Sequence, residues 1–207
     1  MNTQTTFRAG GVNAAALTPR RPAETKADFG ALSELLDFLA GAGIQAVVLM
    51  GTTGEFVHFD LEERRRLIEQ AVRRSRMPVI ASVAHATLDG ALALARAAAG
   101  AGVAGLLIMP PYFFRYRQPE IKEYLLRFAA ELKGAAPVYL YNIPFFTNEL
   151  SAETAVELLA TGLFAGIKDS SGRWDNFVRL RTARQRHGFR LLVGNDVLFT
   201  PARAAGA

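Results

Sequence analysis

Apolar and polar positions follow two different periods along this chain. Short runs rich in aliphatic and β-branched residues recur, each followed by a longer stretch whose apolar residues return every three or four positions. The short runs predict strands at Gly11–Leu17, Ile44–Met50, Pro78–Val83, Val103–Met109, Pro137–Asn142, Leu163–Lys168 and Arg190–Gly194. The longer stretches predict helices at Phe29–Ala40, Leu61–Arg74, Leu88–Ala99, Pro119–Lys133, Ala152–Ala160 and Trp174–His187. Asp60 with Glu63, and Ser151 ahead of Ala-Glu-Thr, have the form of helix N-caps, the first resembling a capping box. Gly41, Gly43, Gly100, Gly102, Gly162 and Gly188 fall where helices should stop. In the second helix Leu61, Leu67, Ile68, Ala71 and Val72 form one apolar stripe, with the arginines expected opposite.

Several strands show no polar alternation, notably Ala46–Met50 and Leu106–Met109. A strand apolar on both faces is covered on both, which implies a parallel sheet with helices packed around it. The strand-plus-helix repeat of about 25–30 residues is that of βαβ units. No linker or second domain interrupts it, so residues 1–207 are expected to form a single α/β domain. An open doubly wound sheet should carry Gly-x-Gly-x-x-Gly after its first strand, and that motif is absent. Unusual polar residues instead follow several strands along the whole chain, as in a (β/α)8 barrel. The barrel is therefore the expected fold. It is one unit short: the chain ends after Val197–Arg203, inside the expected seventh helix, and strand eight and the C-terminal helices are missing from it.

Composition narrows the setting. With 207 residues and 50% hydrophobic content, the chain can bury a sizeable core. The net charge of +5 comes from 24 Lys+Arg against 19 Asp+Glu, and all but four of the basic residues are Arg. Glu62, Glu63 and Glu69 are interleaved with Arg64, Arg65 and Arg66 as on a solvated helix face, and no nucleic-acid-binding signature accompanies the charge. There is no cysteine, which excludes disulfides and thiolate sites and suits a reducing compartment. Met1–Arg8 is polar, without a signal-peptide core, and no apolar run has membrane-spanning length. A cytoplasmic protein with no nucleic-acid or membrane partner is expected.

Three segments offer chemistry. Lys168 closes a strand that is otherwise apolar, where desolvation would lower an amine's pKa and favour attack on a carbonyl; snorkelling to the rim or pairing with Asp169 is the structural alternative. Gly51-Thr52-Thr53-Gly54-Glu55 follows the second strand and could turn N–H groups and hydroxyls toward a carboxylate, or form an ordinary strand-to-helix turn braced by Glu55. Tyr141-Asn142-Ile143-Pro144 follows the fifth strand, its phenol serving either as a proton donor or as a rim tyrosine. All three fall at C-terminal strand ends, on one rim of the expected barrel. An amine, an anion cradle and a phenol together imply Schiff-base chemistry on a 2-oxo acid.

With Gly166-Ile167-Lys168-Asp169-Ser170-Ser171-Gly172, these segments resemble the family of dihydrodipicolinate synthase and N-acetylneuraminate lyase, the pyruvate-type class I aldolases. The resemblance runs from Gly11 to the end. It implies that Lys168 forms the imine and that Tyr141 is the general acid/base. Thr52 would relay protons to Tyr141, while Thr53 and the turn begun by Gly51 hold the carboxylate. It also implies a small-molecule 2-oxo acid and aldehyde as partners, no metal or organic cofactor, and a homo-oligomer where the full fold is present.

Departures bear on the substrate. Pro111-Tyr112-Phe113 stands where the synthases have Pro-Tyr-Tyr, so Phe113 cannot complete their proton relay, and Tyr112 remains as a candidate substrate contact. Phe146 stands where they have an arginine for the second substrate's carboxylate. An aldolase or lyase making or breaking a C–C bond between pyruvate, or a related 2-oxo acid, and an aldehyde is therefore expected over dihydrodipicolinate synthesis for lysine. A sugar-acid dehydratase, an inactive fragment and a 2-oxo-acid-binding protein without turnover remain alternatives. His58, His85 and His187 lack metal-ligand spacing, and Trp174 suits packing. Asn195 either contacts substrate or caps a helix beginning near Val197.

Overall fold

The structure is a computed structural model that describes residues 11–206. The polar Met1–Arg8 segment lies outside the described residues. Seven strands alternate with seven helices: β1 (Asn13–Ala15), α1 (Phe29–Gly41), β2 (Ala46–Leu49), α2 (Leu61–Arg74), β3 (Val79–Ser82), α3 (Leu88–Ala101), β4 (Gly105–Ile108), α4 (Gln118–Leu132), β5 (Val138–Asn142), α5 (Ala152–Ala160), β6 (Gly166–Asp169), α6 (Trp174–His187), β7 (Arg190–Val193) and α7 (Phe199–Ala204). They form two compact units, one of residues up to Val83 with Ala93–Leu106, the other of Ala84–Leu92 with the chain from Leu107 onward. No helix among the described residues is long and apolar enough to cross a membrane.

In the first unit β1, β2 and β3 pair in parallel, with Val47 opposite Ala14 and Val79. Every residue of β2 and β3 is buried, as strands without polar alternation require. Asp28 caps α1 by accepting from the Gly30 and Ala31 N–H groups, at 2.9 and 3.0 Å. Asp60 caps α2 by accepting from Glu63 N–H at 2.7 Å. The Glu63 carboxylate accepts instead from Ala27 N–H, at 2.9 Å, tying the helix start to the preceding loop.

The expected apolar stripe of α2 needs one correction. Arg64 is buried within it, donating to the Ser82 carbonyl at 3.3 Å and lying 5.0 Å from the Phe56 ring. Arg65, by contrast, bridges Glu62 and Glu69 on the outer face.

In the second unit β5, β6 and β7 pair in parallel, and α5 packs on α6. All of β5 is buried. The sixth strand begins at Gly166, later than expected, because a turn precedes it. Leu163 is exposed there, and its N–H bonds to the Thr161 hydroxyl at 3.2 Å. At Gly166 the strands approach so closely that a Cβ would lie 2.3 Å from the Arg190 carbonyl oxygen. Helix α6 stops at Gly188, whose left-handed φ of 69° lets its N–H reach the Arg184 carbonyl at 2.8 Å.

Candidate active site

In the first unit the turn after β2 is built by a close approach. A Cβ on Gly54 would sit 3.1 Å from Met50 N and 3.2 Å from the Ala16 carbonyl. Met50 and Glu55 both take left-handed φ, at 56° and 53°, bracketing Gly51, Thr52, Thr53 and Gly54. Thr18 donates to the Gly54 carbonyl at 2.8 Å, and Arg20 pairs with Glu55 at 3.0 Å, so Glu55 braces the turn. Gly51 is buried, Thr52 half-buried and Thr53 exposed. The space beside Gly51 is open for 4 Å.

In the second unit the strand register sets the chemistry. Tyr141 on β5 lies opposite Lys168 on β6, and Asn142 lies opposite Asp169. Side chains alternate along a strand, so the two pairs face opposite ways. Lys168 Nζ stands 4.4 Å from the centroid of the buried Tyr141 ring, within cation–π range.

Asp169 belongs to a polar network on the other face. Asn142 donates to its Oδ1 and the Ser171 hydroxyl to its Oδ2, both at 2.8 Å, so neither oxygen needs Lys168. Asn142 Oδ1 in turn accepts from Leu150 N–H at 3.0 Å. Burial is the main influence on Asp169 and pushes its carboxyl above the usual range, while the bonds from Ser171 and Asn142 oppose this. The network anchors the C-terminal ends of β5 and β6 beneath Lys168 and Tyr141.

Ser170 continues the β6 line, its N–H donating to the Asn142 carbonyl at 2.8 Å. Standing two residues beyond Lys168, it shares the lysine's face. Its hydroxyl is buried and meets no protein partner, a state that costs about 1–3 kcal/mol for an ordinary polar group.

Asn195 accepts from Val197 N–H at 3.0 Å, capping the short 3-10 turn Asp196–Leu198, and its amide nitrogen lies beside Gly172. Tyr112 is half-buried in the loop after β4. That loop is held by Asn148, whose amide donates to the Pro111 and Phe114 carbonyls at 2.7 Å each and accepts from Tyr116 N–H at 3.0 Å. Phe113, at φ 84°, and Phe146 remain strongly exposed. His85 accepts from Thr87 N–H at 3.1 Å at the entrance to α3. A cavity of about 440 Å³ lies among Ala86, Leu88, Pro111, Arg115, Tyr116, Glu120 and Tyr124, and no sequence-predicted site residue lines it.

The structure thus brings Lys168 and Tyr141 together. Thr52, Thr53 and Gly51 form their own turn in the other unit. Sequence reasoning missed the supporting roles of Asp169, Asn142, Ser171 and Asn148. The available signal was the alternation of Asp169 and Ser171 with Lys168 and Ser170, which separates supporting from reactive side chains.

Residues 8–207 match the model of the dihydrodipicolinate synthetase family. The chain belongs to this family. It is 36% identical to an uncharacterized DapA-like lyase of Chloroflexus aurantiacus, covering 95% of this chain and 67% of the relative. Among solved structures it resembles the 2-keto 3-deoxygluconate aldolase of Picrophilus torridus, with a TM-score of 0.90 and 26% identity, over 95% of this chain and 71% of that one. A dihydrodipicolinate synthase from Acinetobacter baumannii complexed with pyruvate gives 0.86 and 26%, over 95% and 67%. The chain therefore spans about two thirds of the length of these relatives. Its fold is the family's (β/α)8 barrel type, with seven of the strands among the described residues.

Proposed function

We propose that this chain is a class I aldolase or lyase that makes or breaks a C–C bond between pyruvate, or a related 2-oxo acid, and an aldehyde. The carrying observation is the amine and phenol paired in register on adjacent strands, Nζ 4.4 Å from the ring centroid. Family membership supports it, as do the similarity to an aldolase and to a synthase complexed with pyruvate. Lys168 adds to the ketone carbon, water leaves, and the resulting imine withdraws electrons so that C3 becomes an enamine nucleophile. Tyr141 moves the protons at the carbinolamine and at the C–C bond. The family resemblance gives Thr52 the part of a proton-relay residue. Thr53, with the N–H groups of the turn begun by Gly51, holds the 2-oxo acid carboxylate. Tyr112 and the amide of Asn195 supply further substrate contacts. The imine is its own electron sink, so the scheme uses no metal or organic cofactor.

Dihydrodipicolinate synthesis is the second reading, supported by the synthase relatives. Against it stands Phe146, a residue that cannot pair with a carboxylate. The exposed Phe113, Phe114, Phe145 and Phe146 support association between copies of the chain, because exposed large apolar side chains are what such a contact buries. A cysteine-free chain suits work in the cytoplasm.

Borohydride reduction in the presence of pyruvate, followed by peptide mapping, tests the reading. A pyruvyl adduct on Lys168 is expected. Folded protein without that adduct overturns the enzyme assignment, and an adduct without product from any aldehyde leaves only 2-oxo acid binding.

A further inference from the structure

Lys168 has unequal neighbours on its two sides. Toward β5 stands the Tyr141 ring; toward β7 the chain has Gly194, just past the strand end. A Cβ on Gly194 would fall 2.2 Å from Ser170 Oγ, 2.6 Å from Lys168 Cε and 3.3 Å from Lys168 Cγ. The Ser170 hydroxyl and the lysine's last methylene therefore fill the place that a side chain on residue 194 would take, which brings the two close together. Gly194 is fixed there by its N–H, which donates to the Asp169 carbonyl at 2.8 Å. Ser170 is only 5% exposed, and its hydroxyl is one of the few buried polar side-chain atoms without a protein partner among the described residues. Most buried polar groups in folded proteins have a partner, and one without calls for an explanation.

We propose that Ser170 is a further catalytic residue. Its hydroxyl, packed beside the lysine's Cε because residue 194 is a glycine, holds the oxygen that leaves the ketone carbon when Lys168 forms its imine. The proposal rests on Lys168 being the imine-forming residue. In that step the Nζ lone pair forms a C–N bond to the ketone carbon, the C=O π pair moves to oxygen, and the oxygen takes the proton that the nitrogen gives up. The nitrogen lone pair then makes C=N while the C–O bond breaks, and the hydroxyl departs as water with a proton from Tyr141. The leaving oxygen sits on the carbon bonded to Nζ, so it falls beside Cε, where Ser170 stands. Tyr141 supplies the proton from one side; Ser170 orients the oxygen from the other by a hydrogen bond that consumes no proton.

Washout of 18O from the ketone oxygen of labelled pyruvate reads this C–O cleavage directly and needs no aldehyde. Ser170→Ala is expected to slow washout about tenfold, the effect of one ordinary hydrogen bond, and to slow borohydride-trapped adduct formation in parallel. Ser170→Thr, which keeps the hydroxyl, is expected to restore most of the rate. A structural role alone predicts normal washout and a changed melting temperature. Should Ser170→Ala fail to fold, Ser170→Cys, a weaker donor of similar size, carries the same comparison. Washout in Ser170→Ala within about twofold of the parent chain overturns the proposal. So does unchanged washout with slower turnover of hydroxylated aldehydes alone, which assigns Ser170 to the aldehyde partner. If the parent chain gives no Lys168 adduct and no washout, both readings fail. An intact adduct with no effect of Ser170 removes this one only.

Discussion

Single residues here are divided by strand alternation into those that react and those that hold. Lys168 and Ser170 share one face of β6, whereas Asp169 turns to Asn142 and Ser171 on the other. Burial raises the Asp169 pKa, so the folded chain binds that proton more tightly than the unfolded chain does. The residue's contribution is therefore most favourable below about pH 4 and declines as pH rises through the raised folded value. Urea unfolding between pH 4 and 7 should show the parent chain losing stability relative to Asp169→Asn as pH increases. A relative gain would contradict the burial argument. At Phe146, substitution by Arg should raise dihydrodipicolinate formation, if the missing bidentate donor is what disfavours a carboxylate-bearing second substrate. Unchanged product formation would remove that argument.

Element boundaries are sharpest where local chemistry marks both ends. Helices α2, α5 and α6 run over the residues that their apolar spacing and caps predict. Asp60→Ala should cost about 1 kcal/mol in denaturant unfolding, the usual value of an N-cap whose side chain accepts a backbone N–H. Strand β6 starts later than its apolar run because Leu163 and Phe164 continue that run while the backbone is still turning. Only the partner strand decides where pairing begins, and there the limiting contact is Gly166 against the Arg190 carbonyl. Gly166→Ala should destabilise the chain by roughly 1–3 kcal/mol, as overpacking does, and leave helix content largely intact by circular dichroism. Arg64 departs from its expected outer position for a related reason. Its long side chain reaches past the apolar stripe to the Ser82 carbonyl, a partner that helical periodicity does not reveal.

For the whole molecule, the apolar strand pattern and the repeat length specify a parallel α/β fold, the absent Gly-x-Gly-x-x-Gly motif and the polar residues after several strands favour the barrel type, and the family match and structural likeness agree. The exposed phenylalanines after β4 and β5 predict self-association at this scale. Sedimentation velocity should show concentration-dependent association that Phe113→Ser with Phe145→Ser weakens; concentration-independent monomer would refute it. Alone, the sequence determined the element order, the family and the motif residues, because periodicity, capping and short motifs are local properties of a chain. Which side chains meet was decided only in three dimensions. Register set Tyr141 against Lys168, alternation turned Asp169 away from the amine, and a bare glycine just past β7 left room beside the lysine for Ser170. Those relations depend on strands far apart in sequence packing edge to edge, where one missing Cβ changes which groups can touch.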